Sequence, residues 1–287
     1  MVATALVSVA GLVFDDRTMA GEPIWLKPFK FSVSLLVYAL TWAWLLSLQR
    51  HPRRVMWWAG TASAVLLGVE MVIIVGQVVR GRASHFNAET AFDTALFTVM
   101  GIAITAVWVL GMAQGVILLR ERIPDRPLAL AIRFGVVLGS VGIGLAFLMT
   151  GPTPDQLAAL DHGLSPDRVG AHSVGVPDGG PGMPITGWST TGGDLRIPHF
   201  VGIHALQALP LLAFLLARTG MSTDVRARLV VIGGVAYAGL TGLVTWQALR
   251  GQPLLSPDLL TAAAFGVLVA ATAGGVLSAR RAVVVAA

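Results

Sequence analysis

The amino-acid sequence predicts an all-α integral membrane protein, and its composition and length carry that prediction. Hydrophobic residues make up 55% of the chain and charged residues 12%, with a mean hydropathy of +0.76. A soluble domain typically carries about 25% charged residues. The 287 residues suffice for eight helices of the roughly 20 residues that cross a bilayer. We therefore expect a bundle of eight, or seven, transmembrane helices.

Apolar runs along the chain define the individual helices. The first 14 residues, up to Phe14, are uncharged and mostly apolar, and they lack the basic start of a secretory signal. A helix of this length reaches only about 21 Å, so we expect a short first helix. Seven longer runs follow, at about 26–49, 55–79, 92–118, 127–150, 198–217, 227–249 and 259–279.

Basic residues are distributed unequally between alternate loops, and this predicts the orientation. One set of alternate loops is short and holds eleven arginines. The other set holds eight basic residues and ten carboxylates, spread over far more residues. By the positive-inside rule, the chain lies in the cytoplasmic (inner) membrane with its C-terminus inside. Arginines in short loops also argue against nucleic acid as a partner. The short loops hold eleven arginines: Arg50, Arg53, Arg54, Arg120, Arg122, Arg126, Arg218, Arg226, Arg228, Arg280 and Arg281.

The runs divide the chain into three parts. Residues 1–150 form a first half of about four spans, and residues 198–287 form the remaining three spans. The 151–197 segment between them is extracytoplasmic and has 10 Gly and 6 Pro among 47 residues, which favours an irregular cap or mobile loop. A short helix near 155–160 is expected within it, with Thr153 as its cap and Asp155 in its first turn.

A faint internal repeat relates the two halves at an offset of 170 residues. Gln77-x-x-Arg80-Gly81 ends one span, and Gln247-x-x-Arg250-Gly251 ends another. At the same offset Pro28 matches Pro198. The pattern indicates a four-plus-four parallel duplication, with coincidence in low-complexity apolar sequence as the alternative.

Three ionisable residues are candidates for chemistry inside the first half. Glu70 lies well inside a span, where a lone carboxylate is costly and functional by default. Asp93 begins the next span and could extend the helical face that Glu70 shares with Gln77. Lys30 lies inside the second span and is a natural partner for Glu70 or for a bound anion. The alternative for Glu70 is a protonated, hydrogen-bonded residue that joins two helices.

The loop that follows Gln77 offers a second group of polar residues. Arg80, His85 and Asn87 lie within eight residues of each other. Guanidinium, imidazole and amide groups could bind an anionic headgroup, a propionate or a carboxylate. Anchoring of helix ends at lipid phosphates is the alternative for the arginines.

Two histidines begin the fifth long run, at 198–217. His199 falls in the first helical turn after Pro198, which we place at the first helical position. His204 lies about 7.5 Å deeper and shares a face with Gln207, while Arg196 lies just before the run. The five-residue spacing turns the two rings about 140° apart, so they are not expected to chelate one ion together. His204 is expected to point inward, as a structural residue or as a ligand.

Two functions fit these residues. The first is a haem- or metal-binding membrane oxidoreductase, with His85, His199 and His204 as ligands and haem or a divalent metal as the cofactor. Cysteine is absent, so thiolate sites are excluded. The arrangement resembles the haem A synthases in architecture alone. The alternative is a transporter or receptor for a small anionic solute, proton-coupled through Glu70. The sequence leaves open whether the chain is an enzyme, and leaves its oligomeric state open.

Overall fold

The computed structural model describes residues 1–49 and 53–284, with the side chains of residue 53 and of residues 281–284 left out. Arg50, one of the predicted cytoplasmic arginines, lies outside the described residues. The elements in chain order are α1 (Val2–Phe14), β1 (Thr18–Met19), β2 (Glu22–Pro23), α2 (Leu26–Ser47), α3 (Arg53–Arg80), α4 (Ala91–Arg120), α5 (Arg126–Leu145), a 3₁₀ turn (Ala146–Met149), α6 (Pro154–Asp161), β3 (Ser173–Val174), β4 (Gly193–Asp194), α7 (Arg196–Ala217), α8 (Thr223–Leu249) and α9 (Leu259–Val284).

Seven helices among the described residues are long and apolar enough to cross a membrane. They are α2, α3, α4, α5 with its 3₁₀ turn, α7, α8 and α9, and their apolar spans have between 22 and 30 residues. Helix α1 is apolar but has 13 residues, or about 20 Å, which is shorter than the ~30 Å hydrocarbon core. The chain is therefore an all-helical, multi-pass membrane protein, with seven helices of spanning length in the part that the structure describes.

One compact unit contains α1, α2, α3 and most of α4. It comprises Met1–Gln114, Phe147–His172 and Pro177–Ser189. Within it α1 packs on α2 and α2 packs on α3. Buried residues of α3 and α4, among them Met71, Ile74 and Met100, form its apolar core.

A second compact unit contains α5, α7, α8 and α9. It comprises Gly115–Ala146, Ser173–Val176 and Thr190–Ala287, of which the last three residues are not described. Glycine allows α5 and α7 to approach closely, because a side-chain carbon at Gly142 would overlap the backbone of Gly202 and Ile203. Small residues produce such contacts between membrane helices.

The 151–197 segment contains more regular structure than its composition predicts. The predicted short helix is confirmed as α6, which begins with a capping box. The Thr153 hydroxyl accepts from the Gln156 amide at 3.3 Å, and the Gln156 side chain accepts from the Thr153 amide at 2.9 Å. The antiparallel pair of β3 and β4 was not predicted, because strands of two residues leave no periodic pattern.

The predicted first helical position of Pro198 is wrong. Helix α7 begins two residues earlier, at Arg196, so Pro198 is its third residue. Pro28 is likewise the third residue of α2. Proline is tolerated there, because the first four amide groups of a helix have no intrahelical acceptor.

Candidate functional site

Glu70 is the most unusual polar residue of the first unit. It lies in α3, ten residues before the helix ends at Arg80, and is only 6% exposed. Its Oε2 atom is buried and has no hydrogen-bond partner among the described residues. Burying an unpaired carboxylate oxygen is costly, so this atom calls for a proton or a ligand.

The two lysines of α2 have different surroundings. The ammonium of Lys30 lies 3.2 Å from Glu22 Oε2 and donates to the Thr186 carbonyl at 3.2 Å. Lys27 is the charged group that acts electrostatically on Glu70. Its ammonium lies 5.9 Å from the centroid of the Phe31 ring. The structure therefore pairs Lys30 with Glu22 rather than with Glu70.

His85 lies in the loop between α3 and α4, within a group of aromatic rings. The ring centroids of Phe31 and Phe97 lie 5.5 Å and 6.1 Å from that of His85. Its Nδ1 atom is 3.1 Å from the Ser84 hydroxyl. Burial lowers the pKa of the His85 imidazole well below its usual range, and the charge of Lys27 lowers it further. The ring is therefore neutral at physiological pH.

The residue after His85 has a strained backbone. Phe86 has a φ of +59°, a conformation that costs a bulky residue about 1–3 kcal/mol. It is buried and packs against the rings of Phe97 and His172, at centroid distances of 5.5 Å and 4.9 Å. Tight packing thus holds the His85 loop in one conformation. Strain of this kind clusters at functional sites.

Asp93 belongs to a hydrogen-bond network that joins α3 to α4. Its fully buried carboxylate accepts from Gln77 at 2.9 Å, Arg80 at 2.7 Å and Thr90 at 2.6 Å. The proximity of Gln77 and Asp93 that the sequence predicts is present. Asp93 and Arg80 form an ion pair, and Arg80 also lies over the Phe92 ring, 4.8 Å from its centroid.

Asn87 shapes the loop between these helices. It is 1% exposed, donates to the Ala83 carbonyl at 2.9 Å and accepts from the Glu89 amide at 3.0 Å. Both bonds are local, so the side chain stabilises the turn that carries His85.

In the second unit, Arg196 and His199 are engaged by neighbours. Arg196 forms a two-pronged ion pair with the buried Asp194, with contacts of 2.9 Å and 2.6 Å. The Nδ1 atom of His199 lies 2.7 Å from the Gly142 carbonyl of α5. These contacts stabilise the start of α7 and its packing on α5.

The expectation that His204 points inward is wrong, since its side chain is exposed. Its Nδ1 atom lies 3.2 Å from Gln207 Oε1, and its ring stacks on Phe200 with the centroids 6.4 Å apart. The sequence periodicity placed His204 and Gln207 on one face of the helix correctly. Which face is buried depends on the packing of α7, which the sequence pattern did not determine.

Of the three predicted metal ligands, His85 belongs to the first unit, and His199 and His204 belong to the second. In residues 1–49 and 53–284 no group of three or more His, Cys, Asp or Glu side chains is arranged to hold a metal ion.

Two residues that act electrostatically on His85, Lys27 and His172, are not among the predicted site residues. His172 lies 2.8 Å from Asp178 Oδ2, and it acts electrostatically on His85. Lys27 lies in the first turn of α2, where a lysine is expected to extend to the membrane interface. Contacts between segments about 90 residues apart leave no local pattern, so no signal in the sequence pointed to His172.

The ends of α3 and α8 have the same local geometry. Gly81 and Gly251 have φ angles of +68° and +70°. The Gln77 side chain donates to the Ala83 carbonyl at 3.3 Å, and the Gln247 side chain donates to the Pro253 carbonyl at 2.7 Å. Each glutamine therefore binds the carbonyl six residues ahead, just beyond a left-handed glycine.

No family model, curated protein or solved structure matches the chain. The residues themselves therefore carry the functional argument.

Proposed function

We propose that the chain is a proton-coupled carrier of a small anionic solute, with a site formed by Lys27, Glu70 and His85. The observation that carries the proposal is the buried Oε2 atom of Glu70, which has no hydrogen-bond partner among the described residues. Ionisable groups within membrane helices mark ion and solute pathways and proton relays.

The charges of the site supply a mechanism for coupling. With the site empty, attraction to the Lys27 ammonium offsets part of the cost of burying an ionised Glu70. A bound anion would draw that ammonium away and repel the carboxylate, so Glu70 would take up a proton. Binding of the anion and of the proton would then favour each other, and by linkage the effect is reciprocal.

The groups around His85 indicate which kind of solute the site would bind. His85 is neutral, so one ring nitrogen can donate a hydrogen bond without adding charge. Phe31 and Phe97 line the histidine with apolar surface. This combination favours a small anion with an apolar portion over a strongly hydrated inorganic ion.

The test uses purified protein in liposomes that contain a pH-sensitive dye. Succinate, aspartate and inorganic phosphate are applied outside as probe anions, and proton entry is recorded. Glu70→Gln is expected to reduce anion-driven proton entry at least about tenfold, because the amide cannot titrate. Lys27→Ala is expected to weaken the dependence of proton entry on the anion concentration.

The matched control is Glu89→Gln, which removes an exposed carboxylate from the loop that carries His85 and should leave proton entry unchanged. Wild-type proton entry in Glu70→Gln would contradict the proposal. The proposal would also be contradicted if none of the three anions drives proton entry and the infrared carboxyl band of Glu70 does not change between pH 5 and 9.

A second candidate function is haem binding through His85. It is favoured by the neutral ring and by the Ser84 hydroxyl at Nδ1, since ligating histidines are oriented by a bond at the other nitrogen. Haem when bound would supply electron-transfer chemistry. An absorbance band of the purified protein that shifts on reduction and disappears in His85→Ala would favour this function over transport.

We also infer that the chain contains an internal duplication. Support comes from the helix bounds: α2 and α7 begin at residues 26 and 196, and α3 and α8 at residues 53 and 223. Both offsets are 170, which is also the offset between Gly81 and Gly251.

A further inference from the structure

A cavity of about 580 Å³ lies between α5, α8 and α9 in the second unit. It is remote in sequence from Lys27, Glu70 and His85, and the proposed carrier function makes no use of it. Its lining residues are Arg126, Leu130, Asp224, Ala227, Arg228, Val231, Ile232, Gly275, Ser278 and Ala279.

One end of the cavity carries charge. Arg126 is the first residue of α5, and it pairs with Asp224 of α8 at 3.0 Å with both side chains largely exposed. An exposed pair of this kind is weak. Arg228 is exposed and has no hydrogen-bond or ion-pair partner within the described part of the chain. The mouth therefore presents two guanidinium groups against one carboxylate.

The other end of the cavity is apolar. Leu130 lies one helical turn beyond Arg126, and Ile232 lies about 12 Å along α8 from Asp224 at the rise of an α-helix. Gly275 has no side chain, and an added side-chain carbon there would already contact Ile232 at 3.4 Å. The glycine therefore keeps a space open between α9 and α8. Polarity thus falls along the cavity from the helix ends towards the middle of the spans.

We propose that this cavity binds one anionic phospholipid, with the phosphodiester at Arg126 and Arg228 and an acyl chain along Leu130 and Ile232. Guanidinium groups bind phosphate with paired hydrogen bonds. Basic pockets between membrane helices bind lipid headgroups. The gradient from charged mouth to apolar depth matches an amphiphile, whereas free phosphate would use only the mouth.

The test is native mass spectrometry of the purified full chain in neutral detergent. Phosphatidylglycerol and phosphatidylcholine with identical acyl chains are added in competition, with inorganic phosphate as a separate competitor. We expect one phosphatidylglycerol per chain to be retained against the zwitterionic lipid. Arg228→Ala should weaken its binding about fivefold. A basic residue near an anionic lipid surface contributes about 1 kcal/mol, which corresponds to a factor of about five in affinity.

Two further variants complete the test: one probes the apolar end of the cavity, and the other is a control. Gly275→Leu keeps both arginines but fills the apolar end, and it should also weaken binding. Arg218→Ala is the matched control, because Arg218 is an exposed arginine at the end of α7 that does not line the cavity.

Three results would overturn the proposal: equal retention of both lipids, an equal loss in Arg218→Ala and Arg228→Ala, or displacement of the lipid by inorganic phosphate alone. None of them bears on Glu70, so the carrier function and the lipid site fail independently.

Discussion

The imidazole of His85 has surroundings that disfavour its protonated form from several directions. Phe31 and Phe97 replace water around the ring, and electrostatic interactions with the Lys27 ammonium and with His172 also disfavour its charged form. The consequence for stability has a definite sign. In the unfolded chain the ring takes a proton as the pH falls through about 6.5, but in the folded protein it does so only at a lower pH.

We predict that stability is lost as the pH falls below about 6.5 towards the folded-state pKa of His85. His85→Phe should flatten the fall in melting temperature between pH 6.5 and 5, because phenylalanine keeps the ring contacts but cannot titrate. The measurement is intrinsic tryptophan fluorescence during heating in detergent. His162→Gln serves as the control, since His162 is exposed in the 151–197 segment. If His162→Gln flattened the fall in melting temperature as much as His85→Phe does, the effect could not be assigned to His85.

At the residue scale, the sequence identified the types of group but not their partners. Glu70 was recognised because a carboxylate inside an apolar run is rare. The choice between Lys27 and Lys30 was missed, because two lysines three residues apart differ by about 60° around a helix. Only the packing of α2 on α3 determines which of them acts on Glu70.

The pair of helices α5 and α7 shows how a small residue determines an element's position. Gly142 and Gly202 face each other with no room for a side chain on either. The close approach also places the His199 ring against the Gly142 carbonyl. Dispersion contacts and this one polar contact stabilise the pair in the membrane, where lipid tails weaken any hydrophobic drive for helix association.

Gly142→Ala is predicted to destabilise the protein by about 1–3 kcal/mol, because overpacking a close contact forces the backbones apart. Gly242→Ala in α8 is the matched control, since a side-chain carbon there meets nothing within 4 Å. It should be neutral or slightly stabilising by helix propensity. Equal melting temperatures for the two variants in detergent would show that the α5–α7 contact is looser than described.

Element existence followed from the sequence more directly than element contacts. Each of the seven long apolar runs is a helix in the structure, because length and hydropathy alone determine whether a segment can cross a bilayer. The helix α6 was predictable because capping chemistry is local. The pair of β3 and β4 was not, since its partners are separated by a long irregular loop.

At the scale of the whole molecule, the arginine distribution predicts which side each loop faces. The short loops hold eleven arginines, and the carboxylate-rich 151–197 segment lies in the other set. Acidic residues contribute little to the rule, whereas basic residues close to the ends of spans determine the orientation. The C-terminus is therefore predicted inside and the 151–197 segment outside.

Alkaline phosphatase inserted at Gly180 is predicted to be active, and the same enzyme fused after α9 inactive, because the enzyme requires export. A fluorescent protein at the two positions should give the reverse pattern. Gly180 suits the insertion because it lies in an irregular and exposed stretch. Phosphatase activity at the C-terminus alone would invert the topology.

The glycine contact between α5 and α7 has a consequence for biosynthesis. Gly202 follows Gly142 by 60 residues, so at a synthesis rate of about 5–20 residues per second α5 waits roughly 3–12 seconds for its partner. During that interval the narrow face of α5 borders lipid, and its Gly142 carbonyl has not yet met His199. A nascent chain interrupted between these two helices would expose this face to quality-control proteases, whereas a chain extended past α7 would conceal it.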